Sequence, residues 1–259
     1  MTFVELMLAM SVLALVVGTL AGLARTSQQE FEYSQGYGGA TQHARVAIDR
    51  ITRTIYGATA NEQFPGCLVI AETVNGWRYP DTLVVWHPSG AAADPDGLPR
   101  YCELVIYCPQ ANNPGRLVEI TAPADTRTVP AITDSASWQS QIAAIKSDAQ
   151  SKVVQLSDLL RVCPISTATG AALRAAVRFE TRLRPSQTDW DNYKADSVNW
   201  TDLPWVQGLY GWQRGMRQVW VRMELQLLPQ APNGTAGAAN EVPVSFFGSA
   251  SLYYQMRHQ

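Results

Sequence analysis

Between Leu6 and Ala24 the chain reads LMLAMSVLALVVGTLAGLA, 19 residues without a charge. Wound as an α-helix, a run of about 19 residues covers about 28 Å, close to the roughly 30 Å hydrocarbon core of a bilayer. A cleavable signal peptide opens on a basic stretch and carries a shorter apolar core. Here no Lys or Arg precedes the run, and the only charge ahead of it is Glu5. A helix apolar on every side also lacks the polar face that a soluble surface helix needs. Segment 1–25 is therefore expected to be a transmembrane helix.

Glu5 is the exception within that segment. A carboxylate in lipid is costly and by default has a partner, although a position near a helix N-terminus is favoured by the macrodipole. Two readings follow. Either Glu5 rests among lipid headgroups, or it meets an α-amino group, its own at Met1 or that of an identical neighbour displaced along a stack of helices.

The opening MTFVELMLAMSVLALVVGTLAGLA resembles the mature N-terminus of the type IV pilin family, which includes the pseudopilins of type II secretion. Met1, Thr2, Phe3, Val4, Glu5 and Leu6 carry the match. The resemblance implies a prepilin peptidase substrate whose new N-terminal residue, Met1, is methylated. It further implies that Met1, Thr2, Phe3 and Glu5 direct assembly. The subunit would sit in the inner membrane and then be drawn by an assembly ATPase and its platform into an extracellular pilus or a periplasmic pseudopilus. Its partners there would be copies of itself or other pilin-like subunits, with the globular head outside the cytoplasm. Three functions are weighed: a structural subunit of a type IV pilus-like filament; a minor, J-like pseudopilin at a pseudopilus tip, to which the RVAIDRITRTI run at 45–55 is similar; and a membrane-tethered enzyme or receptor. The chain carries no basic excess, with 20 Lys and Arg against 22 Asp and Glu, so nucleic-acid binding is not indicated.

From residue 26 the composition turns polar. Ala47, Ile51 and Ile55 recur at helical spacing with Ile48 beside them, while Arg45, Asp49, Arg50 and Arg53 lie off the stripe. Segment 26–58 is thus expected to be an amphipathic helix with a melted or kinked joint at Gly36, Gly38 and Gly39, since each glycine costs about 1 kcal/mol in a helix interior. Gly18 and Gly22 read instead as close helix-contact positions. Segment 59–259 reads as a β-rich head. Strands are expected at Cys67–Val74, Thr82–His87, Tyr101–Cys108, Leu117–Thr121 and Val244–Tyr254, and a short helix at Trp138–Gln150. Val219, Val221, Met223, Leu225 and Leu227 alternate with polar partners, as do Val177, Phe179, Thr181 and Leu183. Period-two alternation means a sheet with one wet face. The expected class is α+β, a long N-terminal helix packed on an antiparallel head.

Cys67, Cys102, Cys108 and Cys163 make an even count, read as disulfides ahead of buried free thiols or a metal site. Cys102 and Cys108, if on one strand, would lie about 20 Å apart, so Cys67 with one of them and Cys163 with the other is the pairing expected. No catalytic motif of the hydrolase, metalloprotease or P-loop kinds is present, and neither catalysis nor a cofactor is expected. Asp189, Asp191 and Asp196 are weak candidates for Ca²⁺, without the spacing of an EF-hand. Trp190, Trp200, Trp205 and Trp212 crowd one loop-rich stretch. They form either a satellite core under a long loop or an exposed platform for a neighbouring subunit, a glycan or a surface.

Overall fold

A computed structural model describes residues 2–167, 170–203, 205–206, 214–229 and 242–256. Helix α1 spans Phe3–Tyr56, 54 residues without interruption. The joint expected at Gly36–Gly39 is not melted: the helix is continuous through all three glycines. The reason lies in what packs there. Gly36 is the first buried residue of α1 and begins a series, Gly36, Ala40, Ala44, Ala47, Ile51 and Ile55, that turns one narrow, mostly small-residue face into the head. Burial of that face offsets the glycine penalty, and Gly36 acts as a contact position instead of a break.

The head contains a five-stranded antiparallel sheet ordered β1 (Cys67–Val74), β2 (Trp77–Trp86), β3 (Leu104–Gln110), β4 (Asn113–Thr121) and β5 (Lys152–Ser157). A two-stranded ribbon follows, β6 (Val162–Thr167) with β7 (Gly170–Ala175). The third sheet is ordered β10 (Val244–Gln255), β9 (Met216–Leu227) and β8 (Val177–Arg184). Helix α2 (Ser135–Ser147) is capped by the Asp134 carboxylate, which accepts from Ser137 N–H at 3.1 Å. Helix α3 (Gln187–Lys194) opens on Ser186. The class is α+β, a long helix with antiparallel sheets.

Two cores lie on opposite faces of the five-stranded sheet. One joins Ala44, Ala47, Ile51 and Ile55 of α1 to Leu83, Val85 and Tyr107 on one side and to Val219, Val221, Met223 and Leu225 on the other. The second packs Trp86, Ile106 and Val118 under Trp138, Ile142 and Ile145 of α2. The alternation read along β9 holds, its five apolar residues being fully buried. On β8, Val177 and Phe179 are buried while Thr181 and Leu183 are half-buried. Strand β2 begins five residues earlier than expected, so Asn75 (φ 50°) and Gly76 (φ 78°) form a two-residue turn. Positive φ at both positions is the I′ geometry that matches strand twist. Close approach of helix to sheet rests on Gly248 of β10, where an added Cβ would stand 2.7 Å from Ile48 Cγ2.

None of the four cysteines is bonded, which corrects the disulfide expectation. Cys67 faces the α1 core and Cys108 the α2 core, on opposite sides of the same sheet and two strands apart. Cys102 sits in the 3₁₀ turn Tyr101–Glu103 and not on the strand with Cys108. Cys163 lies on the β6–β7 ribbon. A disulfide needs facing Cβ atoms on Cα atoms about 5.5 Å apart, and opposite faces deny that to Cys67 and Cys108. Burial pushes the Cys67 thiol up to about 12 and that of Cys108 up to about 11. At pH 8 a thiol reagent should label Cys102 and Cys163 in the folded protein and all four after unfolding without reductant; fewer than four in the unfolded chain would restore a disulfide.

Candidate assembly helix and its anchor in the head

From Phe3 to Gln35 no residue of α1 is buried, a projection of about 50 Å at 1.5 Å per residue. It includes a stretch long and apolar enough to cross a membrane, none of which touches the head. Phe3, Leu6, Leu8, Leu13, Val17 and Leu20 all stand exposed. A surface of this extent is costly to leave in water and is consistent with membrane anchoring.

The start of the helix is built by a capping box. Thr2 N–H donates to Glu5 Oε2 at 2.8 Å, and Glu5 N–H donates to Thr2 Oγ1 at 3.4 Å. The signal, Thr2-x-x-Glu5, stands in the sequence as a T-x-x-E pattern ahead of an apolar run. Glu5 therefore has an intrachain role that the macrodipole argument alone does not reveal. An ionised carboxylate offers about four lone-pair sites, so this bond leaves capacity for an external cation. Phe3 is exposed beside it, and Met1 lies outside the described residues.

Where α1 joins the head, its two flanks meet different sheets. Arg50 donates to Glu119 of β4 from Nε at 2.7 Å and from Nη2 at 2.8 Å. Tyr107 OH of β3 donates to the same carboxylate at 3.1 Å, and Thr54 Oγ1 lies 2.7 Å from the phenol oxygen. The Glu119 side chain is only 7% exposed. The Arg50 guanidinium, with help from Tyr107, holds its carboxyl below the usual range despite burial. Burial, reinforced by the Glu119 charge, pushes the Tyr107 phenol up. The sequence signal for this anchor is an acid inside the apolar strand Leu117-Val118-Glu119-Ile120, together with Arg50 on the edge of the helix stripe.

The remaining candidates fall elsewhere. Trp190 and Trp200 are buried with Leu203, Val206 and Met256, and half-buried Trp205 packs against them. Trp190 and Trp200 meet edge to face at 6.3 Å between centroids. These rings are a satellite core, so neither Trp190 nor Trp200 offers a surface platform; Trp212 lies outside the described residues. Asp189 closes the capping box of α3, its N–H donating to Ser186 Oγ at 3.1 Å and its carboxylate accepting from Ser186 N–H at 3.2 Å; Asp191 accepts from Gln187 Nε2 at 3.0 Å, and Asp196 adopts positive φ in the following turn. Among the described residues no three His, Cys, Asp or Glu side chains converge as a metal site.

A long apolar N-terminal helix packed on an antiparallel sheet is a pilin-like architecture in general form, and the helix is consistent with membrane anchoring. Compared with known proteins, the chain matches no family model, no curated protein and no solved structure.

Proposed function

We propose that this chain is a structural subunit of the pilin kind, held in a membrane by its N-terminal helix and assembled through that helix into a filament. The observation that carries this reading is that one unbroken helix is naked to residue 35 and wedged into the head from residue 36. A tether needs only length, whereas rod and head built on a single helix move as one piece and repeat faithfully in a stack. Burying about 1,000 Å² of such helix would be worth about 25 kcal/mol gross relative to water. Lipid tails already supply most of that gain, so extraction from the bilayer requires external work, and the proposal includes assembly machinery as a partner.

In this reading Glu5 meets the amino group of Met1 in a neighbouring copy, within an apolar surround where each charge cancels the other. Immunogold electron microscopy of sheared surface filaments, with an antibody against the head, tests the proposal. Label along shafts is the expected result. Label confined to filament ends assigns the chain to the minor, J-like role, whereas label only on dispersed membrane protein, with no filament, overturns the reading.

A further inference from the structure

We propose, building on the filament reading, that lateral neighbours join their heads by pairing the free edge of β10 in one copy with the free edge of β5 in the next. At 100° per residue, His43, Arg50 and Thr54 fall on one flank of α1 and Ile48 about 140–160° around from His43 and Arg50. The first flank meets the five-stranded sheet: His43 Nδ1 lies 3.4 Å from Ser157 Oγ at the end of β5, and Arg50 pairs with Glu119. Ile48 instead presses on Gly248 of β10. Helix α1 is thus a wedge in the open side of a sandwich, bounded by β5 on one side and β10 on the other, with Arg45, Val46, Asp49 and Arg53 facing outward between them.

Each bounding strand ends its sheet. Among the described residues β10 pairs with β9 alone and β5 with β4 alone. Natural sheets guard such edges with charge, proline or bulges. Strand β8, the opposite edge of the small sheet, does so with Arg178, Glu180, Arg182 and Arg184. Strand β10, VSFFGSASLYYQ, has no charge and no proline over 12 residues and pairs with β9 in unbroken register from Val244 to Gln255. Its outer face exposes Phe247 and Tyr253. Strand β5, KVVQLS, is guarded only at its ends, by Lys152 and by a bulge at Leu156 in its pairing with β4, and between them Val153 and Val154 are both exposed and point to opposite faces.

A bare edge and a short, lightly guarded apolar one, flanking the assembly helix, fit a head-to-tail contact. Because β10 and β5 differ, each pairing leaves one edge of each kind free and the contact propagates, as a filament requires. Pairing β10 with a second β10 would close at two copies. The recognition is main-chain hydrogen bonding with apolar side chains alternating above and below.

A photo-crosslinking phenylalanine at position 247 or 253 of the full chain, expressed with its assembly machinery, tests the inference. Irradiated filaments should yield a dimer band whose adduct maps by mass spectrometry to residues 152–157 of a second copy, and detergent-solubilised monomer should not. Ser249→Lys, which sets an exposed charge on the β10 edge, should lower filament yield several-fold, and Ser249→Thr should not. Filaments whose adducts map to α1, to β8 or to a different protein overturn this pairing while leaving assembly intact. Absence of filaments from the unmodified chain overturns both.

Discussion

Glu5→Gln should enter the membrane as the natural chain does and yield at least tenfold fewer filaments. The choice of Gln separates two roles that Glu5 combines. In the single chain its carboxylate closes a capping box with Thr2, and a Gln at the same position can still accept that bond. What Gln cannot supply is a negative charge for the amino group of a neighbour. Breaking a charge pair in an apolar surround costs about 3–5 kcal/mol, and about 1.4 kcal/mol already corresponds to tenfold in an equilibrium. Glu5→Ala removes both roles and should fail at least as completely, although loss of the charge favours insertion into lipid. The measurement is the ratio of sheared filament to total membrane-bound protein. A Gln variant with normal filaments, beside an Ala variant without them, would reduce Glu5 to a helix cap and remove the intersubunit pair.

The residues differ in how openly they declare these roles. The apolar run and the alternation along β9 were legible because each is long and uniform: the first is uncharged over 19 residues, and the second repeats at period two against the bulk core. Cys67–Val74 coincides with β1 for the same reason. Strand β5 and the β6–β7 ribbon escape notice because short edge pieces carry little periodicity. The glycines at 36–39 mislead in a more instructive way. Intrinsic propensity counts them as a break, but a series that continues through Ala40, Ala44 and Ala47 counts Gly36 as the first member of a close-packed face, and tertiary packing outweighs about 1 kcal/mol per residue. The cysteines mislead because an even count constrains nothing about faces: Cys67 and Cys108 are separated by the thickness of a sheet that no spacing rule reveals. The tryptophan cluster allowed two readings, and burial of Trp190 and Trp200 selects the packed one.

If the helix carries the load of extraction and stacking, its grip on the head must hold, and the Arg50–Glu119 pair is the polar part of that grip. Removing either partner should not be equivalent. The Arg50 side chain is 56% exposed and that of Glu119 only 7%. Glu119→Gln leaves a guanidinium free to turn into water and an amide that still accepts from Tyr107, a loss of about 1–2 kcal/mol. Arg50→Ala strands a buried carboxylate with the phenol of Tyr107 as its remaining donor, a loss of about 3 kcal/mol. For a head of roughly 200 residues, about 3 kcal/mol lowers the melting temperature by about 6–12 °C. The pH dependence should change sign. In the natural protein Glu119 titrates below the ordinary carboxylate range because Arg50 donates to it. Its stabilisation is therefore complete above the unfolded value of about 4.3 and is lost as pH falls through the lower folded value. Without Arg50, burial is expected to outweigh the remaining lowering influences of Tyr107 and His87 and to lift the folded value above the unfolded one, so this group would then stabilise the fold in acid and lose that contribution as pH rises. Going from pH 7 to pH 5, the melting-temperature gap between Arg50→Ala and the natural chain should narrow. A gap that stays constant or widens would show that the carboxylate is not confined in the Arg50→Ala head, and that the helix is held by its apolar face alone.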